Sequence, residues 1–310
     1  MTFPISVVSG GTGFVGRFIV NGLIEAGHHV RVIGRNAPHR GDFVGPVAFM
    51  TASLGEEIDW SPAFNGASNF IHAAFDHLPG RFRGGEGDDP ENFKIRNING
   101  TEALFRAAKA AGVSRAIFLS TRAVYGTQPP GKVLDEDTRP HADTLYGEVK
   151  LAGERRLQAL ADDTFTTASL RVTGVYGPAA AGREDKWTPM IRSWLAGTPI
   201  EPRAGTEVHG RDVARAVELL LDAPVGDVSS KVFNVSDLMV DRSDVLAIIQ
   251  EATGLAHPLP PAADTTGFNP MSCERLQALG WKPGGKRLLQ ETVRDLMVAV
   301  EQVDRPILAD

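Results

Sequence analysis

The stretch Ile5-Ser6-Val7-Val8-Ser9-Gly10-Gly11-Thr12-Gly13-Phe14-Val15-Gly16 predicts how this chain folds. Its first five residues are rich in β-branched side chains and favour a strand, whereas the apolar residues after Gly16 recur at helical spacing. Glycines at 10, 13 and 16 allow the backbone to turn tightly, to approach a pyrophosphate closely and to pack the helix on the strand. A strand, a glycine turn and a helix in this order indicate a dinucleotide site, with the phosphates facing the helix N-terminus.

The following residues alternate between strands and helices. We predict strands at 30–33, 47–50, 69–72, 115–120 and 231–235, and a long amphipathic helix at 91–111. This alternation predicts an α/β fold, a Rossmann-type doubly wound parallel sheet with a smaller, mostly helical C-terminal substrate domain. Residues 1–172 and 206–236 are assigned to the dinucleotide-binding domain, and residues 173–205 and 237–310 to the substrate domain.

The composition is that of a globular protein, with 42% hydrophobic residues in a chain of 310 and a net charge of −6. The charges form no long blocks of one sign, so we expect neither nucleic acid nor an anionic membrane as a partner. The first apolar run is too short for a signal peptide and no run approaches the ~18 apolar residues of a membrane span, so we expect a cytoplasmic protein. A single cysteine, Cys273, excludes an internal disulfide and a cysteine-cluster metal site, and no metal is expected.

The end of the second predicted strand indicates which dinucleotide is bound. An acidic residue there would bind the ribose hydroxyls of NAD, whereas an arginine would meet the 2′-phosphate of NADP. The sequence reads Val32-Ile33-Gly34-Arg35, so we predict that NADP is preferred and that NAD is possible. Arg40 is a further candidate for the same phosphate. The alternative interpretation of Arg35 is a solvated loop arginine.

A glycine-rich loop at 76–90 contains two arginines, Arg81 and Arg83. It follows a predicted strand and therefore lies at the carboxyl edge of the sheet, where ligands bind in such folds. A substrate-binding loop and a mobile surface loop fit its composition equally well.

Tyr146 and Lys150 lie four residues apart in a run that is predicted to be helical, so their side chains share one face. An ammonium beside a phenol favours the phenolate, and such a pair can exchange a proton nearer neutral pH. For an isolated match, two amphipathic residues on a solvated helix face are the simpler interpretation.

The stretch Phe118-Leu119-Ser120-Thr121-Arg122-Ala123-Val124-Tyr125-Gly126 makes a resemblance specific. Further matching signatures are the glycine turn, Asn97-Ile98-Asn99-Gly100-Thr101, Tyr146 with Lys150, the stretch 170–178, His209 with Asp212, Phe233-Asn234-Val235 and Leu279-Gly280-Trp281-Lys282-Pro283. In this order, over nearly the whole chain, the sequence resembles the extended short-chain dehydrogenase/reductases, a superfamily of nucleotide-sugar epimerases and dehydratases.

The resemblance implies three catalytic residues. Thr121 would hydrogen-bond the reacting oxygen, Tyr146 would exchange its proton, and Lys150 would bind the nicotinamide ribose and favour the phenolate. The implied cofactor contacts, which also include Tyr146 and Lys150, are Gly10, Gly13, Phe14, Val15, Gly16, Gly34, Arg35, Arg40, Ser53, Leu54, His72, Ala73, Ala74 and Asn97.

Candidate substrate contacts are Arg81, Arg83, Arg122, Thr173 and Arg211. The first three are predicted to lie near the nicotinamide end, where they would suit a carboxylated or phosphorylated substrate. Helices at 92–111 and 143–160 resemble the surface through which family members dimerise, so a homodimer is expected. Packing within the monomer is the alternative for these two helices.

Several positions depart from the family pattern. Arg122 and Ala123 replace the Asp-Glu pair that dehydratases use to remove water, and Cys273 lies outside the position of the further cysteine that some epimerases need. Gly205 replaces an arginine that binds the diphosphate in many UDP-sugar enzymes, although Arg211 lies nearby in the sequence. Ser53-Leu54 replaces an acidic residue, so adenine recognition is expected to differ in detail.

The sequence thus predicts an NAD(P)-dependent hydride-transfer enzyme that resembles nucleotide-sugar 4-epimerases and sugar dehydrogenases, with a sugar or nucleotide-sugar as substrate. The alternative enzyme is an NADP-dependent reductase or dehydrogenase of a small non-sugar carbonyl compound. The alternative from another class is a catalytically silent regulator that senses the dinucleotide. The presence of Thr121, Tyr146 and Lys150 argues against such a regulator.

Overall fold

The computed structural model describes residues 3–78 and 85–304. In chain order the strands are β1 (Ile5–Ser9), β2 (His29–Gly34), β3 (Val47–Thr51), β4 (Asn69–His72), β5 (Arg115–Thr121), β6 (Thr166–Val172), β7 (Gly174–Tyr176), β8 (Ala204–His209), β9 (Lys231–Val235) and β10 (Leu238–Asp241). The helices are α1 (Phe14–Glu25), α2 (Ser61–Phe64), α3 (Pro90–Ala110), α4 (Leu145–Gln158), α5 (Thr188–Leu195), α6 (Gly210–Asp222), α7 (Val225–Val228), α8 (Arg242–Thr253), α9 (Glu274–Ala278) and α10 (Gly285–Asp304), and a 3₁₀ turn covers Arg122–Tyr125.

Seven of the described strands form one parallel sheet in the order β3-β2-β1-β4-β5-β6-β9. One apolar cluster fills the space between this sheet and helices α1 and α6, and another lies under α2 and α3. The strand order reverses between β1 and β4, and ligands bind outside the carboxyl ends of the strands at such a point. The predicted Rossmann-type fold is confirmed.

The other three described strands form a smaller sheet in the order β10-β8-β7. Its strands share a third apolar cluster with α5, α8 and α10, to which Tyr176, Trp187 and Trp194 contribute. The predicted division between residues 205 and 206 falls inside β8, and α6 packs on α1 rather than with the smaller sheet. The assignment of the chain to two domains stays a prediction.

A buried ion pair ties α4 to the main sheet. Arg171 on β6 donates from Nη2 to Glu154 Oε2 at 2.8 Å and from Nε to Oε1 at 3.1 Å, and Ser120 Oγ donates to the same carboxylate. Burial disfavours the charged form of Arg171, but the hydrogen bonds and the charge of Glu154 raise its pKa above the ordinary value. The pair therefore positions α4, which carries Tyr146 and Lys150, against the end of β5.

Along residues 3–78 and 85–304, none of the helices combines the length and the apolar character that crossing a bilayer requires.

Candidate active site

The glycine turn has the geometry that a closely bound phosphate needs. Gly10 has a φ of +73°, and a Cβ at this position would lie 2.6 Å from Ala74 Cα. A Cβ on Gly16 would collide with the carbonyl oxygen of Gly10. Gly13 is the N-cap residue that precedes α1, and no side chain caps the helix N-terminus. These residues fit a dinucleotide, because the backbone N–H groups of the first turn are left to meet its phosphates.

The loop after β4 closes the other side of this turn. Ala73 N donates to Ser9 O at 3.0 Å, and Ala74 lies against Gly10. Asn97 on α3 holds the loop, because its Oδ1 accepts from Asp76 N at 2.8 Å and its Nδ2 donates to Asp76 O at 2.9 Å. The structure thus gives Asn97 a positioning role at the predicted site.

His72 does not offer its side chain to a cofactor. The ring is 0% exposed, with Nδ1 2.6 Å from Ser9 Oγ and Nε2 2.8 Å from Thr101 Oγ1. Burial and the charge of Lys150 lower the pKa of His72 well below its usual value. The imidazole thus links β1, β4 and α3 as a packing group, and the cofactor contact of His72 stays a prediction.

Lys150 is buried at the end of β5, where its Nζ donates to Leu119 O at 2.7 Å. The same nitrogen lies 4.9 Å from the centre of the Phe75 ring and 4.8 Å from that of Phe118. Burial lowers the pKa of Lys150 to about 7, although the charge of Glu154 opposes the shift. A lysine in this setting exchanges a proton near neutral pH.

Tyr146 and Thr121 flank Lys150. Tyr146, one turn earlier on α4, packs edge-on against Phe75 with ring centres 5.1 Å apart. Thr121 is the last residue of β5, is buried, and accepts a hydrogen bond from Ala123 N at its Oγ1. Helix α4 approaches the turn after β5 so closely that a Cβ on Gly147 would lie 2.6 Å from Ala123 O. The three predicted catalytic residues therefore meet at one edge of the sheet.

Phe75 is a residue that the sequence reasoning missed. Its ring contacts Tyr146, Lys150 and Phe93, so it forms an apolar wall beside the predicted proton-transfer pair. A low local polarity strengthens electrostatic interactions between the pair and a bound substrate. An aromatic residue directly after a strand that ends at the ligand-binding edge was the signal available in the sequence.

The residues predicted to select the dinucleotide lie after β2 and β3. Arg35 is exposed, and its Nη1 lies 3.3 Å from Asp76 Oδ1, while Arg96 pairs with the other oxygen of the same carboxylate at 3.2 Å. A Cβ on Gly34 would lie 3.2 Å from Thr12 Oγ1, so the end of β2 adjoins the glycine turn. Further from the turn in sequence, Arg40 is exposed, Ser53 is partly buried and Leu54 is buried.

A cavity of about 470 Å³ is lined by residues that are close in the chain to Thr121 and Tyr146, and we call it the polar cavity. It is lined by Arg122, which follows Thr121, by Thr144, which precedes Tyr146, and by Ala123, Gly126, Thr127, Gln128, Pro130, Asp143, Gly267 and Asn269. Arg122 Nη2 donates to Asn269 O at 3.1 Å, so the segment around 267–269 closes the cavity against the turn after β5.

The other predicted substrate contacts have different surroundings. Thr173 donates from N to Val235 O at 3.1 Å and from Oγ1 to the same oxygen at 3.4 Å, which ties it to β9. Arg211 begins α6 with an exposed side chain. Arg81 and Arg83 lie outside the described residues. Of the three candidates within the described residues, Arg122 is the one that lines the polar cavity.

Glu207 was also missed by the sequence reasoning. Its side chain projects from β8 so that a Cβ on Gly174 would lie 2.6 Å from Oε2 and a Cβ on Gly205 3.8 Å from Oε1. Lys186 Nζ pairs with the same carboxylate. In the family that the sequence resembles, many UDP-sugar enzymes have a diphosphate-binding arginine at the position of Gly205 on β8. In this chain the carboxylate of Glu207 lies on that side of β8.

Comparisons with known proteins identify relatives of this arrangement. The UDP-glucose 4-epimerase of Corynebacterium glutamicum is 25% identical over 304 residues, which cover 89% of this chain and 90% of that protein. The 2-alkyl-3-oxoalkanoate reductase of Stenotrophomonas maltophilia is 26% identical over 186 residues, which cover 56% of this chain and 51% of that protein. The solved structure of MoeE5 in complex with UDP-glucuronic acid and NAD has a TM-score of 0.76 and 27% identity, covering 96% of this chain and 99% of that one.

The model of the NAD dependent epimerase/dehydratase family matches residues 6–236, which include the glycine turn, Thr121, Tyr146 and Lys150. The resemblance inferred from the motifs is confirmed, and the protein is an NAD-dependent hydride-transfer enzyme that resembles the nucleotide-sugar epimerases. The chain belongs to the NAD dependent epimerase/dehydratase family.

Proposed function

We propose that the protein inverts a hydroxyl-bearing carbon of a sugar or nucleotide-sugar, as a 4-epimerase does. The observation that carries this proposal is the arrangement of Thr121, Tyr146 and Lys150 at the carboxyl end of β5, next to the polar cavity. When NAD is bound, it supplies the group that accepts and returns a hydride.

In this proposal, the side chains of the chain handle the proton. Tyr146 takes the proton of the substrate hydroxyl as the carbon is oxidised, and returns it when the carbon is reduced. The charged form of Lys150 favours the phenolate, whereas the burial that lowers the pKa of Lys150 to about 7 reduces the share of this form at neutral pH. Thr121 Oγ1 already accepts from Ala123 N, so its own proton can be donated to the substrate oxygen.

The polar cavity supports a substrate with several hydroxyl groups. Polar side chains from two parts of the chain line it: Arg122 and Gln128 from the segment after β5, and Asn269 from a distant segment. Asp143 accepts from Thr127 N at 2.8 Å and from Thr127 Oγ1 at 2.6 Å, which holds one wall in place. Polar groups that converge from several sides fix the orientation of a ligand that can bond to each of them.

Reduction of a small carbonyl compound without a nucleotide is the second candidate. Glu207 favours it, because a carboxylate beside Gly174 and Gly205 opposes the approach of a diphosphate. The pairing of Glu207 with Lys186 offsets part of this effect. The partial likeness to a 2-alkyl-3-oxoalkanoate reductase agrees with this candidate over about half the length of that protein.

The fate of the cofactor distinguishes the two candidates. An epimerase regenerates its cofactor in each cycle, whereas a reductase must exchange it. We expect the purified protein to retain close to one dinucleotide per subunit, and to convert UDP-glucose or UDP-glucuronic acid without net change in reduced-cofactor absorbance. Product would be followed by chromatography, with the Tyr146→Phe variant as the blank. Consumption of one cofactor per product, with a 3-oxoalkanoate as substrate, would contradict epimerisation and support the reductase.

NADP is the preferred dinucleotide in this proposal. Arg35 follows β2 where no carboxylate is present to bind the ribose hydroxyls, and its side chain is 54% exposed. Its ion pair with Asp76 is exposed, and such pairs contribute about 0–1 kcal/mol. A charge-assisted bond to a phosphate contributes roughly 1.5–3 kcal/mol, so the 2′-phosphate can displace Asp76 from Arg35.

Replacing Arg35 by alanine is therefore expected to lower the ratio of NADP affinity to NAD affinity by about tenfold. Asp76→Asn should raise the same ratio by a few fold, because it releases Arg35 from its competing carboxylate. Calorimetric titration of both dinucleotides measures the ratio. Arg106→Ala, which removes an exposed arginine paired with Glu102 on α3, is the matched control. An unchanged ratio in Arg35→Ala would show that this arginine does not select the dinucleotide.

A homodimer through α3 and α4 is part of the same proposal. The two helices pack against each other, and Ile95 on α3 is 55% exposed, which gives this surface an apolar residue for a second copy to cover.

A further inference from the structure

Arg183 reaches the glycine turn from a distant part of the chain. It lies in the segment 177–187, which connects β7 to α5, and its Nη1 donates to Thr12 O at 2.8 Å. Thr12 is the residue between Gly11 and Gly13, so the guanidinium sits at the turn where α1 begins. The segment is held at its far end by Asp185, which accepts from Trp187 N at 2.8 Å and Thr188 N at 3.1 Å.

Arg17 brings a second guanidinium to the same place. It lies in the first turn of α1, donates from Nη2 to Pro178 O and stacks 4.7 Å from the centre of the Phe18 ring. Burial lowers the pKa of Arg17, the charge of Asp42 opposes this shift, and the charge of Arg183 adds to it. The two arginines are thus close enough for their charges to interact, and the carboxylate of Asp42 attracts Arg17.

Positive charge predominates among the groups at the turn where α1 begins. The first turn of α1 contains no acidic residue, and Gly13 provides no side-chain cap, so the helix N-terminus adds its own partial positive charge. Two guanidinium groups beside an uncapped helix N-terminus repel one another, and an anion bound between them would reduce that repulsion. The phosphates of a dinucleotide are anions of the right kind at this turn.

We propose that Arg17 and Arg183 bind the phosphate groups of the dinucleotide from the side of segment 177–187, opposite the backbone N–H groups of the glycine turn. Arg183 supplies a planar donor fork, which suits phosphate oxygens, and its bond to Thr12 O orients it before the cofactor arrives. Segment 177–187 thereby takes part in cofactor binding as well as in connecting the two sheets.

Arg183 could act only by holding segment 177–187 in place through its bond to Thr12 O, or it could contact a phosphate of the cofactor. These two roles predict different effects of Arg183→Ala on ligand binding. Arg183→Ala removes both, but adenosine contains no phosphate and binds the same nucleoside pocket. A phosphate contact therefore affects NAD and leaves adenosine unchanged, whereas a displaced segment affects both ligands. Salt also separates the two, because screening weakens a charge contact and has little effect on apolar packing.

The experiment is calorimetric titration of the cofactor-free protein with NAD and with adenosine, at low and at high salt. In Arg183→Ala, the Kd of NAD should rise about tenfold and its dependence on salt should decrease, while the Kd of adenosine stays within twofold of wild type. In Arg183→Lys, which keeps the charge but lacks the planar donor fork, the Kd of NAD should lie between the values of wild type and Arg183→Ala. The matched control is Arg192→Ala, since the structure pairs Arg192 with Glu184 at 2.8 Å in the same region.

Two results would overturn the proposal: equal weakening of NAD and adenosine in Arg183→Ala, or an unchanged Kd of NAD. A thermal melt of each variant verifies that it is folded. Because no substrate is present, the result does not depend on whether the enzyme is an epimerase or a reductase.

Discussion

Replacing Tyr146 by phenylalanine is expected to lower turnover by roughly 10²-fold or more, as the loss of a positioned acid/base group does. The substitution removes only the hydroxyl, so the edge-on contact between the ring and Phe75 is retained. Lys150 stays bonded to Leu119 O, and the glycine turn is not touched. The variant should therefore fold and bind dinucleotide as the wild type does, and single-turnover kinetics should place the loss in the chemical step.

Tyr125→Phe is the matched control for this substitution. The hydroxyl of Tyr125 lies 2.8 Å from Asp135 O and 2.7 Å from Asn234 Oδ1 and donates its single proton to one of these acceptors at a time, so it is a structural group. Its removal should cost about 1 kcal/mol of unfolding free energy and leave turnover close to wild type. If Tyr146→Phe turned over like the wild type, Tyr146 would not be the proton-transfer group, and a loss of equal size in both variants would point to a structural cause.

Replacing Arg171 by methionine is expected to lower the free energy of unfolding by about 3–5 kcal/mol, because it leaves the charge of Glu154 buried without its partner. The side chains of Arg171 and Glu154 are 4% and 6% exposed, and Arg171 also lies over the Tyr125 ring at 4.8 Å. Loss of hydrogen bonds to a buried charge is costly. For a chain of this size the melting temperature should fall by roughly 2 °C per kcal/mol.

The double variant Arg171→Met with Glu154→Leu tests the cause of that loss. With both charges removed, no ion is left uncompensated, so the double variant should regain most of the stability that the single variant lost. Differential scanning calorimetry of the wild type, both single variants and the double variant measures this coupling. Equal destabilisation of Arg171→Met and the double variant would attribute the loss to packing and not to charge.

Local patterns in the sequence predicted six of the seven described strands of the main sheet and missed β6. The run before Gly10 and the spacing after Gly16 depend on residues that are neighbours in the chain, and β1 and α1 have the predicted places. The smaller sheet was less accessible, because Gly174–Tyr176 is a strand of three residues whose partners come from β8, far along the chain. A strand this short has no periodicity of its own to recognise.

The predicted site likewise combines features that local sequence patterns predict with features that depend on contacts between distant residues. Tyr146 and Lys150 could be paired from their helical spacing, whereas the burial of Lys150 between Phe75 and Phe118 requires three separate elements to pack together. His72 was predicted as a cofactor contact from the resemblance, but the bonds of its two ring nitrogens to Ser9 and Thr101 are indicated by no nearby sequence pattern.

The sequence by itself determined the glycine turn, the succession of strands and helices, and the spacing of the proton-transfer pair, because each depends on backbone preferences and side-chain periodicity over a few consecutive residues. Only the tertiary structure decided the pKa of Lys150, the pairing of Arg35 with Asp76 and the contact of Arg183 with Thr12. The physical reason is that desolvation and charge pairing depend on which side chains meet in space. Arg183 and Thr12 are 171 residues apart in the chain, and no local pattern connects them.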